Sequence, residues 1–436
     1  MEGELITKLL GGLRETAENL PDKRKASNGR KYETADFLMS AFAVFYFQHP
    51  SMLDFQKAME EREKRNNLRT LFGVETIPGT DQARKILDGI EPKELFPAFD
   101  RALETARESG ALESYRVLEG TIPVALDGTW YFSSKEIHCD HCLSMNTKKR
   151  EGTEEDTRYY HEALCAVAVK PGKPVVALPL IPEFVRNEDG KDKQDCERNA
   201  AKRWLKTHKE RYSGLKLTIL GDDLYCCHPV CKEIREAGMN FLLVCKDGSH
   251  PWIAEQVKYS LPQTHEKTEW NGRNHLVYRY KWVNGIENRA DGETMSVNYL
   301  YFEIYNKEKG AVTYKNSWIT DIEISKGNVG NMTACARARW KIENEHNNVL
   351  KNHGYNLEHN FGHGKEHANE LFCLLNLLAF LFHGIQRLID DDYRKAYEHA
   401  SRKIDFFWAL RYEANRYFHK NWISLFLTVS GHPPDG

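Results

Sequence analysis

The chain has 436 residues, a formal net charge of −2, and is 41% hydrophobic and 11% aromatic. At roughly 100–200 residues per domain, this length suggests two to four domains, and the apolar and aromatic content excludes global disorder. The balanced charge excludes a wholesale polycation that coats nucleic acid, although local basic patches can still engage it.

The N-terminal MEGELITKLLGGLRE lacks a basic stretch followed by an apolar one, so no targeting segment is expected. Residues 1–115 read as a helical region. Apolar residues recur at helical spacing in ADFLMSAFAVFYF and in ELFPAFDRALETARE, with HPS and IPGT as punctuation between them. The cluster KRKASNGRK (23–31) is either a solvated loop or a phosphate-contacting patch. The apolar runs FLMSAFAVFYF (37–47) and LFCLLNLLAFLF (371–382) are shorter than the roughly 18 residues of a membrane span. Both are expected as buried helices, with no membrane partner.

From about residue 116 the pattern turns to strands. TIPVALDGTW reads as a strand ending at Asp127, before Gly128. Residues 159–184 read as two apolar runs joined by a Pro-Gly turn, a hairpin. CERNAAKRWLKTHKERY is helical in period, KLTILGDDLY is a strand ending in acids, HPVCKEIREAG is helical and NFLLVCK is a strand. This order predicts an α/β fold with a mixed sheet. Residues 250–330 alternate polar with aromatic or β-branched residues and predict an inserted antiparallel sheet. Residues 331–354 read as one long charged helix, 368–389 as a hydrophobic helix, and 391–436 as a helical tail with a frayed end.

Three carboxylates stand apart by context. Asp127 and Asp222 lie at expected strand ends, where an open α/β sheet builds its sites. Glu343 lies within the long helix. Each alone has a plain reading: a turn residue, a helix cap, an exposed helix acid. Together they suit metal-assisted phosphoryl transfer, in which hard oxygen ligands hold divalent cations. VALDGT also resembles the nucleophile loop of haloacid-dehalogenase-like phosphatases, but Ala125 stands where that family has its nucleophilic Asp.

The segments LDGTWYFSSKEIHC, KQDCERNAAKRWL, ILGDDLY and RWKIENEHNNVLKNHGYNLEHNFGHG, in this order, resemble DDE transposases of bacterial insertion sequences, close to the insertion-sequence-four group. The resemblance implies a ribonuclease-H-like core at 116–249 and 331–390, a β-rich insertion at 250–330, and an N-terminal helical region for DNA binding or dimerisation. It implies Asp127, Asp222 and Glu343 as the catalytic ligands of Mg2+, with Mn2+ as a substitute. It implies cleavage of element ends, joining of 3′-hydroxyls to target DNA, a homodimer on double-stranded DNA, and a bacterial cytoplasmic location at the nucleoid. A non-catalytic DNA-binding descendant and a metal nuclease without joining are the rival readings.

The group's signature places a Tyr, an Arg, the Glu and a Lys at fixed spacing. Arg339 and Glu343 fit; the Tyr position is Ala336; the Lys position is Leu350, with Lys351 one residue later. Glu345 is therefore a second candidate for the third acid, and Asp223 a weaker one for the second. Arg339 and Lys351 are candidate phosphate contacts, although Arg339 and Glu343 at i, i+4 could equally form a surface ion pair. Trp130 could stack on an unpaired base or belong to the core.

Ten cysteines with no targeting segment are expected as reduced thiols. Cys139 and Cys142 form a Cys-x-x-Cys, and Cys226, Cys227, His228 and Cys231 form a second cluster. Both resemble zinc patterns, and each follows a strand that carries an aspartate, a placement that would let them approach one another. The simpler expectation is plain thiols with no tightly bound zinc.

Overall fold

A computed structural model describes residues 4–22, 24, 31–60, 67–147, 156–173, 176–187 and 194–433. Most of the basic cluster at 23–31 and the last three residues of the tail lie outside the described residues. Of that cluster, Arg24 pairs with Asp22 at 2.7 Å and donates to the Tyr32 carbonyl.

The N-terminal region is helical, as its periodicity predicts: α1 (Glu4–Glu18), α2 (Thr34–Tyr46), α3 (Met52–Glu60), α4 (Asn67–Phe72), α5 (Thr80–Asp88) and α6 (Phe96–Glu108). Helix α2 is apolar on every face and buried almost throughout, so it is a core element and not a surface helix.

The strands begin with β1 (Ile122–Ser134), β2 (Leu143–Thr147), β3 (Asp156–Ala168), β4 (Leu178–Pro179) and β5 (Glu183–Val185). Asp127 is not at a strand end: β1 runs seven residues further. What ends near Asp127 is the pairing with one neighbour. β1 pairs in parallel with β6 (Leu217–Gly221) only from Ile122 to Ala125, whereas its antiparallel pairing with β3 continues to Ser134. The expected hairpin forms, but only as short stretches of β4 and β5 against β3. Proline lacks the N–H that a longer ladder requires, and Pro179 and Pro182 punctuate the returning run.

Helix α7 (Glu197–Tyr212) precedes β6; α8 (His228–Glu236) leads to β7 (Asn240–Val244). A further helix, α9 (Pro251–Tyr259), opens the next region, followed by β8 (Gln263–Trp270), β9 (His275–Glu287), β10 (Ser296–Asn306) and β11 (Ala311–Thr320). These antiparallel strands do not form a separate sheet. β11 pairs with β7, Trp318 opposite Val244, so the order β2-β3-β1-β6-β7-β11-β10-β9-β8 is one continuous mixed sheet. A free edge on β7 would have left unpaired backbone groups, and β11 satisfies them.

The long helix expected at 331–354 is interrupted. Helix α10 (Val329–Ala338) ends near Arg339, residues Ile342–Asn347 are π-helical, and α11 (Asn348–Asn352) follows. Helix α12 (Ala368–Ile389) extends well beyond its apolar run, to 22 residues. By length and composition it could cross a membrane, yet 83% of its most apolar 18-residue window is buried in this fold. It packs against α2, α5, α6 and β4. It also buries Glu370, which Arg186 grips with two bonds of 2.6 and 2.7 Å. Helices α13 (Asp391–His399), α14 (Lys403–Arg416) and α15 (Trp422–Val429) fold back on the N-terminal helices, where the Trp422 indole donates to the Leu71 carbonyl at 3.0 Å.

The start of α12 is held from a distance. Asp88, at the end of α5, accepts from the backbone N–H groups of Lys365, Glu366, His367 and Ala368 at 2.9–3.0 Å. These are the donors a helix N-terminus leaves unpaired. Burial alone would raise the Asp88 carboxyl, but the four N–H groups outweigh it and hold it below its ordinary value. A depressed carboxylate stabilises the fold above its unfolded pKa, and that contribution is lost as pH falls through the folded value. Asp88→Ala should therefore cost about 1–2 kcal/mol near neutral pH, the range of a lost N-cap. Denaturant titration should show that difference shrinking below about pH 4.

Candidate active site

Asp127, Asp222 and Glu343 meet at one end of the sheet. Asp127 comes from β1, just past the last residue paired with β6. Asp222 follows directly on β6, and Glu343 comes from the π-helical segment. Because β1 and β6 run parallel and adjacent, their chains deliver both aspartates to the same edge. The Asp127 carboxyl is pushed up to about 7 by burial first, then by the charges of Glu197, Glu343 and Asp222, with Arg339 opposing. That influence places all four charged groups within electrostatic reach of Asp127.

Asp127 has a direct partner in Asn347. The Asn347 Nδ2 donates to its Oδ2 at 2.9 Å. Asn347 is itself oriented by His346, whose Nδ1 lies 2.8 Å from the Asn347 Oδ1. His346 is wholly buried and its pKa is lowered to about 4 by that burial, so the ring is neutral and its Nδ1–H donates. Neither residue stands out in the sequence. Their alignment depends on the π-helical turn, in which the Asn348 N–H bonds to the Glu343 carbonyl five residues back.

The π turn also bears on the Lys351 offset. One residue more than an α-helix would use is absorbed between Glu343 and Asn348. Leu350 is fully buried, and Lys351 takes the more open position, 2.9 Å from Glu358. The Lys351 charge partly opposes the upward shift that burial imposes on Glu162 and on Cys165, the residue opposite Asp127 on β3.

Two further acids border the site. Glu197, at the start of α7, accepts from the Gly128 N–H at 2.8 Å and from the Tyr225 hydroxyl. Glu162, opposite Trp130 on β3, is pushed up to about 7 by burial and then by the Glu197 charge. Gly128 permits this approach, since a Cβ there would sit 2.6 Å from the Glu162 Oε1 and 2.8 Å from the Glu197 Cδ. The strand alternation sends Gly128 and Glu162 to the face opposite Asp127. Glu197 escapes a reading of the sequence because an acid in the first turn of a helix is ordinary. The Asp-Gly pair is the available signal, and by itself it reads only as a turn.

The alternatives separate by their partners. Asp223 accepts from the Lys246 N–H at 2.8 Å and lies 3.1 Å from the His250 Nε2, so it braces the loop after β7. Glu345 faces α14, 3.3 Å from the Lys403 Nζ. Arg339 does pair with Glu343, Nη2 to Oε1 2.7 Å, as the plain reading of that spacing expects. Its side chain is largely buried and its Nη1 has no hydrogen-bond partner among the described residues, which sets it apart from a solvated surface pair. Trp130 stacks on Tyr160 with ring centroids 4.2 Å apart, so one of its faces is already covered. The two cysteine clusters are not joined: Cys139 and Cys142 meet His161 and His363, whereas Cys226 meets Cys245 and His250.

Residues 187–381 match the family model of the transposase DDE domain. The match supports a DDE transposase role. It spans Asp222 and Glu343, begins after Asp127, and covers under half of the chain. No curated protein matches the chain significantly.

The raised carboxyls make a stability prediction for the metal-free protein. A folded pKa near 7 exceeds the free Asp value of about 3.9, so the unfolded chain releases its proton first as pH rises. Stability should therefore fall between about pH 4 and pH 7. Asp127→Asn should raise the metal-free Tm at about pH 8, each relieved pKa unit being worth about 1.4 kcal/mol, and should not raise it at about pH 4. Differential scanning fluorimetry in chelator checks this; a lower Tm at the higher pH would contradict the repulsion.

Proposed function

We propose that this chain is a DNA transposase of the insertion-sequence-four-like group, with a ribonuclease-H-like core whose catalytic residues are Asp127, Asp222 and Glu343. The observation that carries the reading is the convergence of these three acids, from two adjacent parallel strands and a π-helical turn, at one sheet edge. Three carboxylates with a single guanidinium among them form a hard-oxygen donor set with excess negative charge, which fits Mg2+ or Mn2+. A divalent cation held by these three residues would supply Lewis-acid stabilisation for charge developing on phosphate oxygens.

The chain's own residues divide the remaining work. Asn347 holds the Asp127 carboxyl in place, with His346 orienting it. Arg339 presents a donor beside Glu343 for a scissile phosphate, where a guanidinium can bind two oxygens. Lys351 adds positive charge near the backbone path. Trp130, already stacked on Tyr160, offers its other face to a base. Because no amino-acid side chain is consumed, the same site can serve hydrolysis at an element end and attack by the freed 3′-hydroxyl on target DNA. Holding two ends together calls for a homodimer on double-stranded DNA.

The test is cleavage of DNA carrying the element's own ends, with Mg2+. Asp127→Asn and Asp222→Ala should each lower the rate at least about a thousand-fold, equivalent to roughly 4 kcal/mol, with end binding retained. Activity surviving either change removes that residue from the site. A labelled, pre-cut 3′ end that never joins target DNA would reduce the protein to a metal nuclease. Specific end binding without cleavage by the unmodified chain would make it a binding-only descendant.

Arg339→Ala should weaken DNA binding and reduce the salt slope of log K by about 1, the change expected when one cation no longer neutralises a phosphate. An unchanged slope would return Arg339 to a structural partner of Glu343.

A further inference from the structure

The geometry points to a structural zinc site formed by Cys139, Cys142, His161 and His363. It is independent of the acidic site and of the transposase reading. The four ligand atoms converge from three separate parts of the chain. Cys139 and Cys142 flank the turn after β1, His161 is on β3, and His363 is in the loop before α12.

The spacing of these atoms is the argument. On a tetrahedron with Zn–S of about 2.3 Å and Zn–N of about 2.0–2.1 Å, sulfurs lie about 3.8 Å apart, nitrogens about 3.3–3.4 Å, and mixed pairs about 3.5–3.6 Å. The two Sγ atoms are 3.8 Å apart and the two Nε2 atoms 3.2 Å. The mixed pairs Cys139–His161, Cys142–His161 and Cys142–His363 are 3.6, 3.3 and 3.6 Å. Hydrogen bonding alone does not explain such a group. The His363 Nδ1 lies 3.0 Å from the Gly364 carbonyl, so its proton is there and a bare Nε2 lone pair faces the other three atoms. A disulfide does not explain it either, since bonded sulfurs lie about 2.05 Å apart.

The surroundings fit a ligand set. Cys142, His161 and His363 are buried, and Cys139 is half-buried. The Cys139 N–H donates to the Cys142 Sγ at 3.4 Å, and the Cys142 N–H returns to the Cys139 carbonyl at 3.2 Å, a tight turn that presents both sulfurs inward. Phe132 packs on both imidazoles, with ring centroids 5.9 Å from His161 and 4.6 Å from His363. With four protein ligands the site has no open position, which assigns the ion a structural role. It would tie β1 and β3 to the loop that joins the Glu343 segment to α12.

The experiment uses the full-length, untagged chain, expressed with zinc and dialysed into Mg2+ buffer. Elemental analysis should find about one zinc per chain. Cys142→Ser and His363→Asn should each lower zinc content at least about tenfold, while Cys196→Ser, at an exposed cysteine, should leave it unchanged. Because a ligand variant could fail to fold, the unmodified chain is also exchanged into Co2+. Visible bands of a tetrahedral two-thiolate cobalt centre are expected. A folded, unmodified chain with under about a tenth of a zinc per molecule and no such bands overturns the proposal, as would zinc retained in both ligand variants.

Discussion

Mutual repulsion among clustered carboxylates is the constraint on which this molecule turns. Asp127 sits where burial and the charges of Glu197, Glu343 and Asp222 all disfavour its ionised form. Folding normally separates like charges. Here the chain brings them together and compensates locally, with Asn347 on Asp127, Arg339 on Glu343, and the Gly128 N–H and Tyr225 hydroxyl on Glu197. Such an arrangement costs stability and is retained where function needs concentrated charge.

The sheet makes that concentration possible. β1 is paired on both sides up to Ala125 and on one side beyond it. Asp127 therefore emerges where β6 has stopped, with Asp222 following from β6 itself. The third acid does not come from the sheet, which continues from β6 through β7 into β11. It comes from the segment after β11, and the π turn there carries both Glu343 and Asn347, the residue that donates to Asp127. π turns recur at functional sites because an inserted residue re-aims the side chains beyond it.

Two anchorings converge on the loop between α11 and α12. Asp88 holds its end through four backbone N–H groups, and His363, just before them, meets the cysteine pair and His161. Gly364 leaves room between them, with φ +69° and no space for a Cβ against the Asp88 carboxylate. The loop links Glu343 to the buried helix α12. Fixing it limits how far the third acid can drift from the two aspartates.

Much of the fold was legible in local pattern. Apolar spacing marked α2 and α12, alternation marked β9 to β11, and strand-helix-strand order marked the mixed sheet around β6. The three acids were legible as candidates because each stood beside a recognisable strand or helix. Pattern was less informative where the chain's partners lie far away in sequence. It ended β1 at Asp127, separated a sheet that β7 and β11 join, made one helix of 331–354 where the structure breaks it, and left Glu197, Glu162, His346 and Asn347 unnoticed. It did not show that Cys139 and Cys142 meet His161 and His363, since the two histidines stand 202 residues apart and no spacing rule connects them. Sequence by itself determined element type and the chemical character of the site, because periodicity and residue chemistry are local properties. Only the tertiary structure decided which charges, sulfurs and imidazoles share a space. That follows from sheet register and helix packing, which are set by many weak long-range contacts at once.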